Sequence, residues 1–341
     1  MKTLRLGKTG LMVSELGFGG IPIIRLGFED AVEVVRHCFE SGIRFFDTAN
    51  VYGDSERKIG QALESVRDKV VLATKTLARD VEGATEHVGY SLENLKTRCI
   101  DLYQLHNLIN DDALNQVLAP GGAYEALARA KADGKIRFIG FSSHNIATAI
   151  RACRTGLFST VQFPFNFIEH DPADDLFKVA AEMDMGIIAM KPLGGGLLER
   201  ADLCFRFLQK FPNVAPIPGI QAKEEVDQIV ELYRSPRPLS EADLAEMETI
   251  RSQLGTKFCH RCEYCMPCDK GVLIPQAMAF RSFSRRMVPQ AAIMMADAAM
   301  ESIANCEDCR ECIEKCPYGL EIPEVLKETL ALYNDFVKQH G

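Results

Sequence analysis

No apolar run in this chain approaches the roughly 18 residues that a membrane-spanning helix needs, and its first residues, MKTLRLGKTGL, lack the apolar core of a secretory leader. Both absences predict a cytoplasmic protein with no membrane partner. Basic charge is not in excess either: 39 Lys and Arg stand against 47 Asp and Glu, a net charge of −8. That predicts no nucleic-acid partner. Solenoid-length repeats and low-complexity tracts are missing as well. A dinucleotide fold of the open-sheet type would announce itself with G-x-G-x-x-G after the first strand. The corresponding stretch here reads Leu16-Gly17-Phe18-Gly19-Gly20-Ile21 and does not match. What remains is a 341-residue chain with 47% hydrophobic and 25% charged residues, the balance of a globular protein with room for one large and one small domain.

Cysteine, by contrast, is plentiful and unevenly placed. Cys38, Cys99, Cys153 and Cys204 are scattered over the first 255 residues, while eight more lie between Cys259 and Cys316. A disulfide framework needs an oxidising compartment, which nothing else in the sequence suggests. Dense cysteines in a cytoplasmic chain point to metal.

Before residue 240, short apolar runs alternate with charged, helix-like stretches. The runs at 43–47, 70–75, 100–106, 136–142, 186–191 and 214–218 read as strands buried on both faces, hence parallel. Segments 29–41, 55–66, 124–133 and 173–183 read as helices. The pattern predicts an α/β fold. A (β/α)8 TIM barrel fits better than an open sheet, because Asp47, Lys75, His106, Ser142, Gln162 and Lys191 sit where strand-like runs end, and those ends share one face of a barrel. Residues 1–13 read as a hairpin closing the bottom, turning near Gly7–Gly10. Ser240 reads as the N-cap of a charged helix to Leu254. The expected division is 1–255 for the barrel and 256–341 for a small domain that needs a metal staple.

Phe45-Phe46-Asp47-Thr48-Ala49-Asn50-Val51-Tyr52-Gly53 puts a carboxylate at a strand end and a phenol five residues on; Lys75 and His106 end the next two strands. A phenol with a pKa near 10 is a poor proton carrier at neutral pH. A neighbouring ammonium lowers that pKa, a carboxylate holds the ammonium, and an imidazole orients a carbonyl oxygen. A lone Asp–Lys pair is usually structural and a lone buried His usually core, but four such residues on successive strand ends favour catalysis. These residues resemble those of the aldo-keto reductases, as do GKIRFIGFSSHN, VQFPFN, MKPLGGG and PIPG further on, over roughly residues 1–235. The resemblance implies a barrel that binds NADP or NAD and interconverts a small carbonyl substrate and its alcohol by hydride transfer. It implies Tyr52 as general acid/base, Asp47 and Lys75 tuning it, His106 orienting the carbonyl and Asn107 beside the substrate. It further places Gly20, Asp47, Ser142, Ser143, Gln162, Lys191, Leu193, Gly195, Gly219 and Gln221 among the cofactor contacts, with Phe165 near the nicotinamide ring. Two departures stand out. The family often has a basic residue where Gln221 stands, to grip the 2′-phosphate of NADP, and Lys223 is the nearest cation. Many members also shape the substrate pocket with tryptophan, which this chain does not contain.

The eight clustered cysteines read Cys259-x2-Cys262-x2-Cys265-x2-Cys268 and Cys306-x2-Cys309-x2-Cys312-x3-Cys316-Pro317. The second run is that of bacterial ferredoxins, in which the last cysteine serves the other cluster. One [4Fe–4S] cluster is therefore assigned to Cys259, Cys262, Cys265 and Cys316, and a second to Cys306, Cys309, Cys312 and Cys268. The first run is irregular, with Asp269 rather than proline after it. Zinc in paired C-x2-C knuckles is the alternative. Residues 275–305 favour helix by composition, so the module reads as an α-helical ferredoxin-like domain, with Met278, Met287, Met294, Met295 and Met300 in its core or at a domain interface.

Hydride carries two electrons and a cubane normally one, so coupling them usually needs a flavin or another converter, and no flavin motif is visible. Three readings follow: a carbonyl reductase whose clusters are structural or redox-sensing; an interaction module whose clusters exchange electrons with a redox partner protein while nicotinamide is a ligand; and a reductase fed through its clusters.

Overall fold

The structure is a computed structural model, and it describes residues 1–255 and 257–340. By packing, the chain separates into two units: Met1–Gly194 with Leu198–Leu239, and Gly195–Leu197 with Ser240–Gly341.

The first unit opens with an antiparallel pair, β1 (Thr3–Arg5) and β2 (Met12–Ser14), in register Leu4↔Val13. Eight parallel strands follow: β3 (Phe18–Gly19), β4 (Phe45–Asp47), β5 (Val71–Thr76), β6 (Ile100–Leu105), β7 (Ile136–Ser142), β8 (Thr160–Pro164), β9 (Gly186–Met190) and β10 (Val214–Ile217). Each pairs with its neighbour in chain order, and a parallel bridge between Gly19 and Gly219 joins the first to the last. The sheet is thus a (β/α)8 barrel. Its helices are α1 (Phe28–Glu40), α2 (Ser55–Leu63), α3 (Val81–Asn94), α4 (Asp111–Leu118), α5 (Ala123–Ala132), α6 (Ile146–Arg154), α7 (Leu176–Glu182), α8 (Ala201–Leu208) and α9 (Lys223–Arg234). Several start on side-chain caps: Asp80, Asn110 and Asn145 accept the backbone N–H groups of Gly83, Ala113 and Thr148.

The expected bottom hairpin is present. Leu4, Leu6, Leu11 and Val13 pack under the barrel against Phe45, Val71, Leu102 and Ile188. Gly7 turns the hairpin at φ +52 and bridges to Met185, just before β9; a Cβ there would lie 2.2 Å from the Gly186 nitrogen. Only glycine fits so close an approach in that conformation.

The second unit holds α10 (Glu241–Leu254), α11 (Ile274–Arg286), α12 (Pro289–Ser302), the short α13 (Glu311–Glu314) and α14 (Ile322–His340). Ser240 caps α10 as expected, in a reciprocal box with Asp243. The stretch expected to be helical at 275–305 is two helices. Pro289 pushes Val288 into extended geometry (φ −59, ψ 140) and so separates them. Helices α11, α12 and α14 bury Phe280, Ala292, Ala296, Leu326 and Tyr333 together. Met278 and Met300 join that core, but Met294 and Met295 are 76% and 52% exposed, so the core expectation fails for those two. Their positions on α12 face away from the three-helix seam. Among the described residues no helix is long and apolar enough to cross a membrane.

Candidate active site and thiol quartets

The C-terminal ends of β4, β5, β6, β7 and β8 bring the expected polar residues to one end of the barrel. Lys75 on β5 is fully buried and Asp47 on β4 is 3% exposed. The Lys75 ammonium lies 2.5 Å from Asp47 Oδ1 and donates to the Thr48 carbonyl at 2.6 Å. Burial pushes the Asp47 carboxyl above its ordinary range, against the pull of the Lys75 ammonium and of amide donors from Gln162 and Gln104. Tyr52 lies in the loop after β4. Its ring stands edge-on to His106, with centroids 5.7 Å apart, and Lys75 Nζ is 5.4 Å from its centre. His106 follows β6. Burial, and then the charges of Lys75 and Arg79, push its imidazole down to about 3, so the ring is neutral. Its Nδ1 is buried without a hydrogen-bond partner among the described residues.

Around this group, Asn107 is in the left-handed region at φ +56 and donates its N–H to Ser142 Oγ at 2.9 Å. Ser143 donates its hydroxyl to the Leu108 carbonyl. Gly20 donates its N–H to the Asp47 carbonyl at 2.8 Å, and a Cβ on it would lie 2.6 Å from Ser55 Oγ. Lys191 is a second left-handed residue, at φ +55, directly after β9. Leu193 and Gly195 (φ +70) lie in the turns that follow it. Gly219 pairs with Gly19 at the barrel seam. Gln221 follows and takes a contact from Arg25 Nη1 at 3.4 Å.

Several functional candidates escaped the sequence reading. Gln104 on β6 points into the barrel. Its Nε2 donates to Asp47 Oδ2 at 3.1 Å and to Gln162 Oε1 at 2.9 Å, while its own Oε1 is buried without a partner among the described residues. The only available signal was a polar residue inside an otherwise apolar strand. His144 bridges Asn107 Oδ1 (3.0 Å) and Lys191 Nζ (2.5 Å). Lys223, the cation nearest Gln221 in sequence, is paired with Glu33. Arg25 instead reaches Gln221, with Nε and Nη2 buried and without partners among the described residues. Phe165 is a correction: it is fully buried between Phe177, Phe207 and Phe211, in the helix layer outside the strands.

In the second unit, two loops gather the eight thiols into two quartets. Cys259, Cys262, Cys265 and Cys316 line one space. Cys268, Cys306, Cys309 and Cys312 line another of about 310 Å3, which Cys265 borders as well. Both loops wind alike: Arg261 and Glu263 in the first, Asp308 and Arg310 in the second, are left-handed. These sit two and four residues after the leading cysteine of each run. Burial pushes Cys259 up to about 11 and Cys265 up to about 12, and thiolates of their own quartet add to it. Cys312 is pushed to about 11 by burial and by Cys306, Cys309 and Cys268. Thiols crowded in this way suit a group that carries positive charge into the space and binds all four, as an iron–sulfur cubane does. The barrel cysteines differ. Cys38, Cys153 and Cys204 are fully buried, with burial raising each thiol, Cys153 to about 12.

The Aldo/keto reductase family model matches residues 15–203, more than half of the chain. The chain belongs to the aldo/keto reductase family. A second model, the 4Fe-4S dicluster domain, matches residues 258–321. That match favours iron–sulfur over zinc for the quartets of this aldo/keto reductase. Among curated relatives, aldo-keto reductase str7 of Strobilurus tenacellus is 32% identical over 58% of this chain and 63% of its own length. An aldo-keto reductase of Glycine max is 29% identical over 58% of this chain and 60% of its own. The chain thus spans about 60% of the length of these relatives. Among solved structures, the Bacillus halodurans aldo-keto reductase superposes with a TM-score of 0.63 at 23% identity, covering 73% of this chain and 96% of that one. A Klebsiella pneumoniae aldo-keto reductase in complex with NADPH has the same TM-score and identity, covering 73% and 95%. These likenesses show the fold.

Proposed function

We propose that this chain reduces an aldehyde or ketone to an alcohol, or runs the reverse reaction, with nicotinamide as hydride carrier, and that it holds two [4Fe–4S] clusters. The observation that carries the reading is the buried Lys75 ammonium between the Asp47 carboxylate and the Tyr52 ring. When bound, nicotinamide supplies or takes the hydride. Tyr52 gives its phenol proton to the carbonyl oxygen as that oxygen gains charge. Lys75 stabilises the phenolate left behind, and Asp47 keeps Lys75 charged and aimed. His106, held neutral, donates a hydrogen bond to the same oxygen. Asn107 lines the substrate side, held by Ser142 and His144. Ser142, Ser143 and Gln162 are the residues we assign to the nicotinamide amide. Gly20, Lys191, Leu193, Gly195, Gly219 and Gln221 are those we assign to the rest of the cofactor. The orphaned buried atoms of Gln104, His106 and Arg25 fit a polar ligand seated at this end.

Tyr52→Phe is expected to lower kcat for carbonyl reduction by about 10²–10⁴-fold with NADPH binding, followed by fluorescence, unchanged. Full activity in that variant, or no turnover by the parent chain over a panel of aldehydes and ketones, sinks the reading.

We assign NADP as the preferred carrier, with Arg25 replacing the cation missing at Gln221. The NADPH complex of the Klebsiella pneumoniae relative and the unpaired guanidinium nitrogens support this. Arg25→Gln should raise the Kd for NADPH about tenfold, the worth of one charge-assisted contact, and leave the Kd for NADH nearly unchanged. Equal losses for both would place Arg25 in the general scaffold.

The cluster ligands we propose are Cys259, Cys262, Cys265 and Cys316 for one, and Cys306, Cys309, Cys312 and Cys268 for the other. Chemical analysis should find about eight irons per chain, the content of two cubanes. A second reading, in which the clusters exchange electrons with a redox partner, is favoured by the exposure of Cys309.

A further inference from the structure

The two thiol quartets meet solvent differently. Cys262 of the first is buried. Its space, about 20 Å3, is lined by His260 and Tyr318, which stack with centroids 3.5 Å apart and planes 9° from parallel. Phe258 stands edge-on against His260. The second space is about 310 Å3 and reaches the surface at Cys309, the one exposed cysteine of the chain among the described residues. Electron transfer falls off steeply with distance, so an outside molecule reaches a cluster held by the exposed Cys309 more readily than one whose second ligand, Cys262, is buried.

The surface around Cys309 has a sign. Asp269, Glu307, Asp308, Glu311, Glu314 and Glu321 are exposed there against Lys270, Arg310, Lys315 and Lys327, which pair with Glu307, Glu321, Glu311 and Asp308, so the acids stay in excess. A cubane held by four thiolates is itself net negative, which deepens the acidic field and steers a positively charged visitor toward it.

We propose that the cluster of the second quartet is the electron port of this chain, and that its partner is a one-electron redox protein presenting a basic patch. The inference rests on the reading that both quartets hold redox-active [4Fe–4S] clusters. In the step, the partner is oxidised by one electron and the cluster goes from the 2+ to the 1+ core charge; no proton and no bond is transferred. The reverse step returns the electron to an oxidised partner.

The test uses the iron-loaded full chain under anaerobic conditions. Its reduction is followed by stopped flow with two small probes: the cationic methyl viologen radical, and the anionic sulfur dioxide radical formed from dithionite. Raising ionic strength from about 20 to 300 mM shortens the Debye length several-fold. The viologen rate should then fall at least about threefold and the anion rate should rise, within the range of electrostatic steering. The double variant Glu307→Lys, Glu314→Lys, which keeps every cysteine and every left-handed residue of the loop, should weaken both salt effects with its iron content unchanged. Freeze-quench EPR should show one cluster filling first, and Cys309→Ser should alter that early signal and not the late one. Rates indifferent to salt and to charge reversal, or an early signal untouched by Cys309→Ser, would overturn the port. Failure of both reductants to reduce any cluster, or an iron count well below eight, would overturn the underlying cluster reading and the port with it.

Discussion

At His106 a proton is hard to keep. Burial and the nearby Lys75 and Arg79 charges hold its pKa at about 3, against about 6.5 in an unfolded chain. The unfolded state therefore takes up the proton first as pH falls. The stability this ring contributes is complete above pH ~6.5 and is lost progressively toward pH ~3, at roughly 1 kcal/mol per pH unit. Urea unfolding at pH 7, 6 and 5 should show this slope in the parent chain and a shallower one in His106→Gln; identical slopes would mean that the ring is not held neutral. The same neutrality bears on chemistry, since the imidazole stays a hydrogen-bond donor through the physiological range. His106 was legible in the sequence as the end of a strand. Gln104 was not, because its two partners, Asp47 and Gln162, come from strands that only barrel closure brings to β6.

The elements themselves were read well where their patterns were long. The strand at 136–142 was read to the residue, and five others to within about two residues at each end. Strand β3 is only two residues long and carries no alternation to read. Strand β8 is polar at Thr160 and Gln162 and contains Pro164, which weakens any strand signal. The helix at 55–66 ends early, in a 3-10 stretch whose Val66 is non-helical. The bottom hairpin shows how a single glycine constrains an element. Gly7→Ala forces a Cβ onto the Gly186 backbone at positive φ and should cost about 3 kcal/mol, combining backbone strain with overpacking. A Tm several degrees lower in calorimetry is the expected result; an unchanged Tm would show that the hairpin can lift away without loss.

For the molecule as a whole, the two units draw on different sources of stability. The barrel has its own large apolar core, with Phe18, Phe45, Phe141 and Phe205 fully buried. The core of the second unit is smaller, and six of the eight quartet thiols, Cys259 and Cys316 among them, pack against it. Chelating the iron should therefore remove a low-temperature transition and part of the helical circular dichroism, leaving the barrel transition in place. A single transition that shifts as a block would contradict this. The barrel class was readable because polar residues mark the ends of apolar runs, and the cluster class because ligand spacing is local. Which residues refine the site, such as Arg25 and His144, depends on chain crossings that no spacing encodes. The chain also sorts its sulfur. Three barrel thiols, Cys38, Cys153 and Cys204, are enclosed, while Cys99 and seven of the eight quartet cysteines are at least partly open to solvent. An oxidant arriving from solvent is therefore expected to meet the quartets and Cys99 first and to spare the three enclosed barrel sulfurs.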